Sequence, residues 1–161
     1  MPDLKIERAD LDSPAAQALI DALNVELVDR YPEAGANHFR LDLNEVSAGQ
    51  GAFLIASLDD APVGCGALRR LNTTEAEIKR MYVTPERRGQ GIGRAILNAL
   101  ELEARQLGAV RVVLETGERQ PEALALYGRA GFSVIANFGE YVDSPLSVCM
   151  AKDLHGTPIP G

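Results

Sequence analysis

Glycines alternate at positions 89, 91 and 93, between a strand-like segment that ends at Val83 and a helix-like segment that begins at Ile92. Glycine has no Cβ atom, so a backbone that contains three of them can turn sharply and lie close to a ligand. The first amides of the following helix have no acceptor within the helix, and they stand at the positive end of its dipole. Together these properties predict a strand, turn and helix unit that binds an anion such as a phosphate group.

The spacing of these glycines excludes two common nucleotide-binding loops. A Walker loop needs Gly-x-x-x-x-Gly-Lys-Ser/Thr, and neither the lysine nor the hydroxyl residue is present. A dinucleotide loop needs Gly-x-Gly-x-x-Gly, and its third glycine would fall on Arg94 or Ile96. A turn that only reverses the chain is the alternative to an anion site.

The hydrophobic pattern predicts hairpins in the first half of the chain and helices between strands in the second half. Ser13 and Pro14 form an N-cap and first-turn pair for a helix that runs to about Arg30. Strands that form hairpins first and alternate with helices later predict an α/β fold with one mixed β-sheet. Strands are predicted at 4–9, 52–56, 62–68, 75–83, 110–114 and 146–150, and helices at 14–30, 92–107 and 121–131.

Two segments bear on any binding site. The polar segment 31–51 is broken by proline and glycine, which predicts a long loop that faces a substrate, with one helical turn near 43–46. Side chains of the strand at 75–83 are expected to alternate between the two faces of the sheet. The sets predicted to share a face are Ala76, Ile78, Arg80 and Tyr82 on one side, and Glu77, Lys79, Met81 and Val83 on the other.

The charge of the chain is uneven. Its 161 residues include 16 Lys and Arg against 23 Asp and Glu, which gives a formal net charge of -7. A surface of this average sign repels polyanions, so no nucleic-acid partner is expected. The window from Arg69 to Arg94 differs, because seven basic and three acidic residues give it a charge of +4. The glycine segment lies inside this basic window, which supports the anion site.

The remaining composition predicts a small cytoplasmic domain without a membrane partner. No stretch approaches the roughly 18 consecutive apolar residues of a membrane span, and the first residues lack a signal pattern. Cys65 and Cys149 fit neither a disulfide framework nor a zinc spacing, so we expect reduced, packed cysteines and no metal. One domain is predicted over 1–154, followed by a frayed tail at 155–161.

Three blocks of the sequence resemble the GNAT superfamily of N-acetyltransferases. Arg88-Gly89-Gln90-Gly91-Ile92-Gly93 is similar to the Arg/Gln-x-x-Gly-x-Gly/Ala pyrophosphate motif of that family. Residues 76–83 resemble its central strand, and residues 123–132, with Leu-Tyr-x-x-x-Gly-Phe, resemble its second conserved helix. The blocks occur in the family's order and cover about half of the chain. The resemblance implies the acyl-CoA N-acyltransferase fold, a sheet that splays in the middle, and direct acetyl transfer from acetyl-CoA to a primary amine.

The resemblance also implies roles for single residues. Glu77 matches a position that acts as general base in some members, and the alternatives are a water chain or a Glu77 that is paired with Lys79 or solvated. Tyr127 matches the acid that protonates the departing thiolate, against a packing role as the alternative. Amides at 81–83 would polarise the thioester carbonyl. The implied acetyl-CoA residues are Met81, Tyr82, Val83, Arg88, Gly89, Gln90, Gly91, Ile92, Gly93 and Arg94.

The acceptor is the least constrained part, because one fold hosts many acceptors. The loops at 31–51 and 138–144 favour an enclosed pocket and a small-molecule amine over a protein amine. A non-catalytic acyl-CoA sensor is a further alternative that the sequence leaves open. His38 is a candidate base or substrate contact, with a surface position as the alternative. The acidic residues outside the basic window, among them Glu33, Glu140 and Asp143, favour a cationic acceptor. Related enzymes often form homodimers, so a homodimer is a further expectation.

Overall fold

The computed structural model describes residues 3–34, 36–37 and 41–154. His38 and the tail at 155–161, for which the sequence predicts a site role and fraying, lie outside the described residues. The strands are Leu4–Arg8 (β1), Gly51–Leu58 (β2), Ala61–Arg70 (β3), Glu75–Val83 (β4), Arg111–Gly117 (β5), Ser133–Ile135 (β6) and Ser147–Asp153 (β7). The α-helices are Pro14–Arg30 (α1), Ile92–Gln106 (α2) and Pro121–Arg129 (α3), and short 3-10 helices span Leu43–Val46, Pro85–Arg87 and Gly139–Tyr141.

The helix ends follow their sequence signals. The Ser13 hydroxyl accepts a hydrogen bond of 3.3 Å from the Ala16 amide, which caps α1 as predicted. Gly108 has a φ of 85° just after α2, the left-handed conformation that ends a helix and that glycine adopts without strain. β6 was not predicted, because three residues are too few to show an alternating pattern.

The seven strands form one sheet in the order β1-β2-β3-β4-β5-β7-β6. β4 and β5 are parallel and every other neighbouring pair is antiparallel, so the predicted mixed sheet is confirmed. The β2–β3 hairpin turns at Asp59 and Asp60, whose φ angles of 48° and 68° are those of the two-residue turn that matches strand twist. No helix among residues 3–34, 36–37 and 41–154 has the length and hydropathy of a membrane span.

The sheet is covered on both faces. On one face α1 packs Leu19 and Leu23 against Phe53 of β2. On the other face α2 and α3 cover the second apolar cluster, which includes Ile96 and Leu100. Helices therefore cover both faces of the described sheet.

A bulge in β4 changes which side chains share a face. Cys65 pairs with Tyr82 and Ala67 pairs with Lys79, so two residues of β4 lie opposite one residue of β3. One of the two is Arg80, whose φ is 57°. The predicted strict alternation is therefore wrong beyond this point. Ala76 and Ile78 pack on the α2 face with Met81 and Val83, whereas Tyr82 packs on the α1 face.

The sheet splays between β4 and β5. The two strands pair only from Glu75 with Arg111 to Ile78 with Leu114. Lys79 and Glu115 would be the next pair in this register, and they stand instead on opposite sides of a gap. This opening, which the family resemblance implied, leaves space for a site in the middle of the sheet.

Candidate active site

A groove of about 570 Å³ runs along the helix side of the glycine segment. Its walls are α1, the end of β4, the segment from Arg87 to Arg94, and α3. Nine of the ten residues assigned to acetyl-CoA line it: Met81, Tyr82, Val83, Arg88, Gly89, Gly91, Ile92, Gly93 and Arg94. The tenth, Gln90, is exposed and is not among the described lining residues.

The backbone of the glycine segment is shaped for an anion. Gly89 and Gly91 have φ angles of 79° and 84°, a region in which side chains are strained. Gly91 is the N-cap of α2 and has no side chain to occupy the first-turn amides. The first turn contains no acidic residue either. The amide groups at the start of α2 are therefore available to a negatively charged ligand.

The charged side chains of the groove also favour a negatively charged ligand. Five arginines and two glutamates line it: Arg30, Arg87, Arg88, Arg94, Arg129, Glu26 and Glu122. Arg30 and Arg129 lie outside the basic window of the sequence and come from α1 and α3. Sequence reasoning missed them because only the packing of these helices brings them to the groove.

Arg88 is held in place on the groove wall. Its Nε donates to the Val83 carbonyl at 2.9 Å, and its Nη2 lies 2.8 Å from Oε1 of Glu26. Its guanidinium also lies over the Tyr82 ring, 5.6 Å from the ring centroid. These contacts join the glycine segment to α1 and to the end of β4.

A second cavity, of about 90 Å³, occupies the gap between β4 and β5. We call it the acceptor cavity. It shares Leu23, Met81, Gln120 and Tyr127 with the groove, so the two spaces meet at these residues. Tyr31, Ala36 and Asn37 come from the loop that was predicted to face a substrate, and the other lining residues are Leu27, Ile78, Lys79, Arg80, Glu115, Thr116, Tyr141 and Leu146.

Tyr127 stands at the junction of the two spaces. Its ring packs edge-on against Phe132 with 5.8 Å between centroids, and burial raises the pKa of its phenol above the ordinary value. A phenol with a raised pKa stays protonated at neutral pH and can donate a proton. Tyr127 therefore both packs against Phe132 and lines the two spaces.

Glu77 lies outside the lining of both spaces. It is fully buried, and Arg69 donates to its Oε1 at 2.9 Å from Nε while the Tyr141 hydroxyl donates to its Oε2 at 2.7 Å. A second carboxylate, Glu45, also binds Arg69. This geometry corresponds to the paired alternative, with Arg69 in place of the expected Lys79. Tyr141, whose hydroxyl binds Glu77, lines the acceptor cavity.

Glu115 is a site residue that sequence reasoning missed. It lies on β5 directly after the last pair with β4 and lines the acceptor cavity. Burial raises the pKa of its carboxyl to about 7, although the Ser147 hydroxyl donates to its Oε2 at 2.6 Å. A carboxylate with a pKa near neutrality suits a general base. No sequence pattern marks it, since its position depends on where the strands part.

The acidic residues expected near a cationic acceptor are absent from the described lining of the acceptor cavity, in which Glu115 is the carboxylate present. Glu33, Glu140 and Asp143 do not line it, whereas Lys79 and Arg80 do. Glu33 instead binds Arg119 at 2.7 Å.

Cys65 is a packing residue, as predicted. It is buried, and its thiol donates to the Arg80 carbonyl at 3.3 Å. Burial raises the pKa of the thiol to about 12, which leaves it protonated and unreactive at neutral pH.

The buried ion pair gives a stability prediction. Arg69→Met leaves the buried Glu77 carboxylate without its cation, and breaking such a pair costs about 3–5 kcal/mol of unfolding free energy. Arg8→Met is the matched control, because Arg8 binds Glu103 at 2.6 Å near the surface, where an ion pair contributes about 0–1 kcal/mol. Urea unfolding measures both losses. Adding Glu77→Gln to Arg69→Met should restore part of the stability, and equal losses in the two single variants would contradict this account.

Known proteins resemble this chain in sequence and fold. The family model described as Acetyltransferase (GNAT) family matches residues 16–132. An IAA acetyltransferase of Azospirillum brasilense is 40% identical over 156 residues, which cover 96% of this chain and 100% of that protein. A crystal structure assigned as an acyl-CoA N-acyltransferase from Klebsiella pneumoniae subsp. pneumoniae MGH 78578 has a TM-score of 0.81 and 34% identity, and the match covers 94% of this chain and 97% of that one.

A solved structure with a bound ligand has the same fold. The GNAT family acetyltransferase from Elizabethkingia anophelis, crystallised with acetyl-CoA, has a TM-score of 0.67 at 20% identity, over 94% of this chain and 98% of that one. This likeness concerns the fold alone. Because the family model covers most of the chain and a relative matched over its full length is 40% identical, the protein belongs to the acetyltransferase (GNAT) family.

Proposed function

We propose that this N-acetyltransferase transfers acetyl from acetyl-CoA to a primary amine of a small molecule by direct attack on the thioester. The observation that carries the proposal is the junction at Tyr127, where an arginine-lined groove meets the acceptor cavity. A structure of the same fold holds acetyl-CoA. The small volume of the acceptor cavity favours a small acceptor over a protein chain.

The groove residues fit a coenzyme A diphosphate. Its negative charges would lie over the amides from Gly89 to Arg94, between the arginines of the groove. The acetyl end would then lie beside Met81 and Val83, near Tyr127. Acetyl-CoA supplies the acetyl group as a thioester, and β4 amides beyond the splay can orient its carbonyl.

Two residues carry out the proton transfers, Glu115 in the acceptor cavity and Tyr127 at the junction. Glu115 accepts a proton from the acceptor amine, whose nitrogen forms the new amide bond to the acetyl carbon. The carbon–sulfur bond breaks in the same reaction, and Tyr127 donates its proton to the departing thiolate. Solvent then returns a proton to Tyr127 and takes one from Glu115, so the protein ends the cycle unchanged.

We assign the base role to Glu115 in place of Glu77. Glu115 faces the acceptor cavity, whereas both oxygens of Glu77 accept hydrogen bonds from Arg69 and Tyr141. Glu77 is thus engaged through both oxygens and lines neither space. Glu77 would instead position Tyr141 on the cavity wall.

The anion site is tested by placing a carboxylate in it. Gly91→Glu puts a side chain at a φ of 84° and a negative charge at the start of α2, so acetyl-CoA affinity should fall by about tenfold or more. Gly108→Glu is the matched control, because Gly108 has a φ of 85° and lies at the other end of α2. Isothermal titration of acetyl-CoA into both variants gives the dissociation constants.

The two variants separate charge at the site from backbone strain. Unchanged affinity in Gly108→Glu with a loss in Gly91→Glu supports the diphosphate site. Equal affinity in Gly91→Glu and the unaltered protein would contradict it. Thiol release from acetyl-CoA with an amine panel tests the transfer itself, and its absence with every amine would contradict the proposed function.

A further inference from the structure

A pair of serine hydroxyls lies behind Glu115. The Ser147 hydroxyl donates to Oε2 of Glu115 at 2.6 Å, and the hydroxyls of Ser147 and Ser144 are hydrogen-bonded to each other at 2.8 Å. Both serines are buried, with exposed fractions of 9% and 7%. Neither is among the described residues that line the acceptor cavity or the groove. The pair therefore contacts the carboxyl group without lining the space for a substrate.

Backbone contacts fix the position of Ser147. In the antiparallel pair of β5 and β7, Ser147 is opposite Gly117, two residues after Glu115, so its side chain lies on the Glu115 face of the sheet. Its amide donates to the Ser144 carbonyl at 3.1 Å, in the turn before β7. The Asn137 side chain donates to the same carbonyl at 3.2 Å. A change of the Ser147 hydroxyl leaves all these contacts in place.

A hydroxyl suits a carboxyl group that changes its protonation state. Ser147 has one proton and two lone pairs, so it can donate to a carboxylate and accept from a carboxylic acid. In the first state Ser144 can donate to Ser147, and in the second state Ser147 can donate to Ser144. Glu115 thus keeps a hydrogen-bond partner before and after it takes a proton, whereas a buried polar group without a partner costs free energy.

Other groups around Glu115 also affect its ionisation. Burial has the largest effect and raises the pKa of Glu115, whereas the hydrogen bond from Ser147 lowers that pKa because it favours the ionised form. The charges of Glu77 and Glu140 raise the same pKa, and Lys79 lowers it. The other titratable residues that line the cavity or pair with Glu115 are Tyr31, Arg80, Tyr127, Tyr141 and Cys149. All of them stay in place when Ser147 is replaced, so the effect of a replacement reports on the hydroxyl.

We infer that Ser147, with Ser144 behind it, is a positioning residue for Glu115: it holds Oε2 and keeps a hydrogen bond to the carboxyl group in both protonation states. Oε1 is then the oxygen that takes the proton of the acceptor amine. The inference rests on the proposed function and adds a residue that acts through the base rather than on the substrate.

The pH profile of Ser147→Ala tests this role. The ionised carboxylate loses a charge-assisted hydrogen bond, so the midpoint of the rise in rate should move upward by about one pH unit. Below that midpoint the rate should fall by roughly tenfold, and at higher pH, where the base is ionised in both proteins, it should fall much less. Thiol release from acetyl-CoA, with the amine that reacts fastest, measures the profile. A residue that only packs would lower the rate equally at every pH.

Three further variants identify the hydroxyl as the cause. Ser147→Thr keeps a hydroxyl and should keep the midpoint of the unaltered protein. Ser144→Ala leaves the contact between Ser147 and Glu115 in place, so it should move the midpoint less than Ser147→Ala. Ser47→Ala is the matched control, because the Ser47 hydroxyl donates to the Asn44 carbonyl at 2.7 Å on the surface and should not affect the midpoint.

A measurement without substrate follows the same ionisation. The full chain is labelled with ¹³C in its glutamate carboxyl groups, and the Glu115 signal is assigned by its loss in Glu115→Gln. Its titration should move upward in Ser147→Ala by the same amount as the rate profile. Urea unfolding shows whether each variant is folded. Ser147→Cys, whose thiol is a weak donor, provides the same comparison if Ser147→Ala does not fold.

The outcomes distinguish the two proposals. An unmoved midpoint in Ser147→Ala, in both the rate and the carbon titration, would overturn the positioning role and leave the acetyl transfer standing. A displaced carbon titration without thiol release from any amine would support the contact of Ser147 with the carboxyl group and overturn the transfer. A midpoint that Ser147→Thr displaces as far as Ser147→Ala would also overturn the role of the hydroxyl.

Discussion

Replacing Glu115 by glutamine is expected to lower kcat by about 100- to 10,000-fold, the range that a general base contributes. Glutamine has the same shape and can still accept the hydrogen bond that Ser147 donates at 2.6 Å. It cannot take a proton from the acceptor amine. Steady-state kinetics with a saturating acceptor measure the loss, and the affinity for acetyl-CoA should not change.

The pH profile identifies the group. Since burial raises the pKa of Glu115 to about 7, the base is protonated and inactive below that pH. The rate should therefore rise about tenfold per pH unit up to about pH 7 and then level until the acceptor amine itself titrates. In Glu115→Gln the rise in rate up to about pH 7 should be absent, whereas the change in rate that accompanies titration of the acceptor amine should remain. If the rise in rate up to about pH 7 persisted in this variant, another group would be the base.

Stability provides the control for this variant. The folded pKa of Glu115 lies above its unfolded value of about 4.5, so the folded state binds the extra proton between about pH 4.5 and 7. The stability that comes from this proton is complete below about pH 4.5 and is lost as the pH rises to about 7. A glutamine stays neutral throughout, so Glu115→Gln should be at least as stable as the unaltered protein at pH 8. If Glu115→Gln were inactive because it unfolds, it would instead be less stable than the unaltered protein at pH 8.

Tyr127→Phe should lower kcat by about 100-fold while it leaves the dissociation constant of acetyl-CoA nearly unchanged. The phenylalanine ring keeps the edge-on contact with Phe132, so only the hydroxyl is lost. The raised pKa of Tyr127 keeps that hydroxyl protonated and ready to donate to the thiolate. Turnover and acetyl-CoA titration on the same preparation separate catalysis from binding.

The result for Tyr127 has a clear alternative. If the tyrosine only packs, Tyr127→Phe will keep its turnover, because the ring contact is preserved. An acetyl donor with a more acidic thiol needs less help on departure, so Tyr127→Phe should lose less activity with such a donor. An equal loss with both donors would contradict the acid role.

Local signals in the sequence predicted much of this fold. Ser13 caps α1, Asp59 and Asp60 form the hairpin turn, and Gly108 follows α2, because each of these features depends on neighbouring residues alone. β6 was missed, and so was the bulge at Arg80, because a strand pattern cannot show where one residue is inserted relative to its partner. The predicted alternation in β4 failed for that reason.

The candidate site also has one part that the local sequence predicts and another part that depends on tertiary contacts. The glycine segment and three of the five groove arginines lie in one stretch of chain, so an anion site there could be proposed from the sequence alone. Glu115 and Lys79 are far apart in sequence, and they line one cavity because β4 and β5 separate after Ile78 and Leu114. Glu77 matched a family position for a base, yet Arg69 and Tyr141 hold it in the core.

The sequence by itself therefore determined the turn, the helix start and the charge that together favour a diphosphate, since a backbone conformation and a helix dipole are local properties. Only the tertiary structure decided which carboxylate and which cations line the cavity between β4 and β5. Those assignments depend on strand register, on one inserted residue in β4, and on the burial that moves the pKa of Glu115. Each of these is a relation between segments distant in the chain, and for that reason no single segment specifies it.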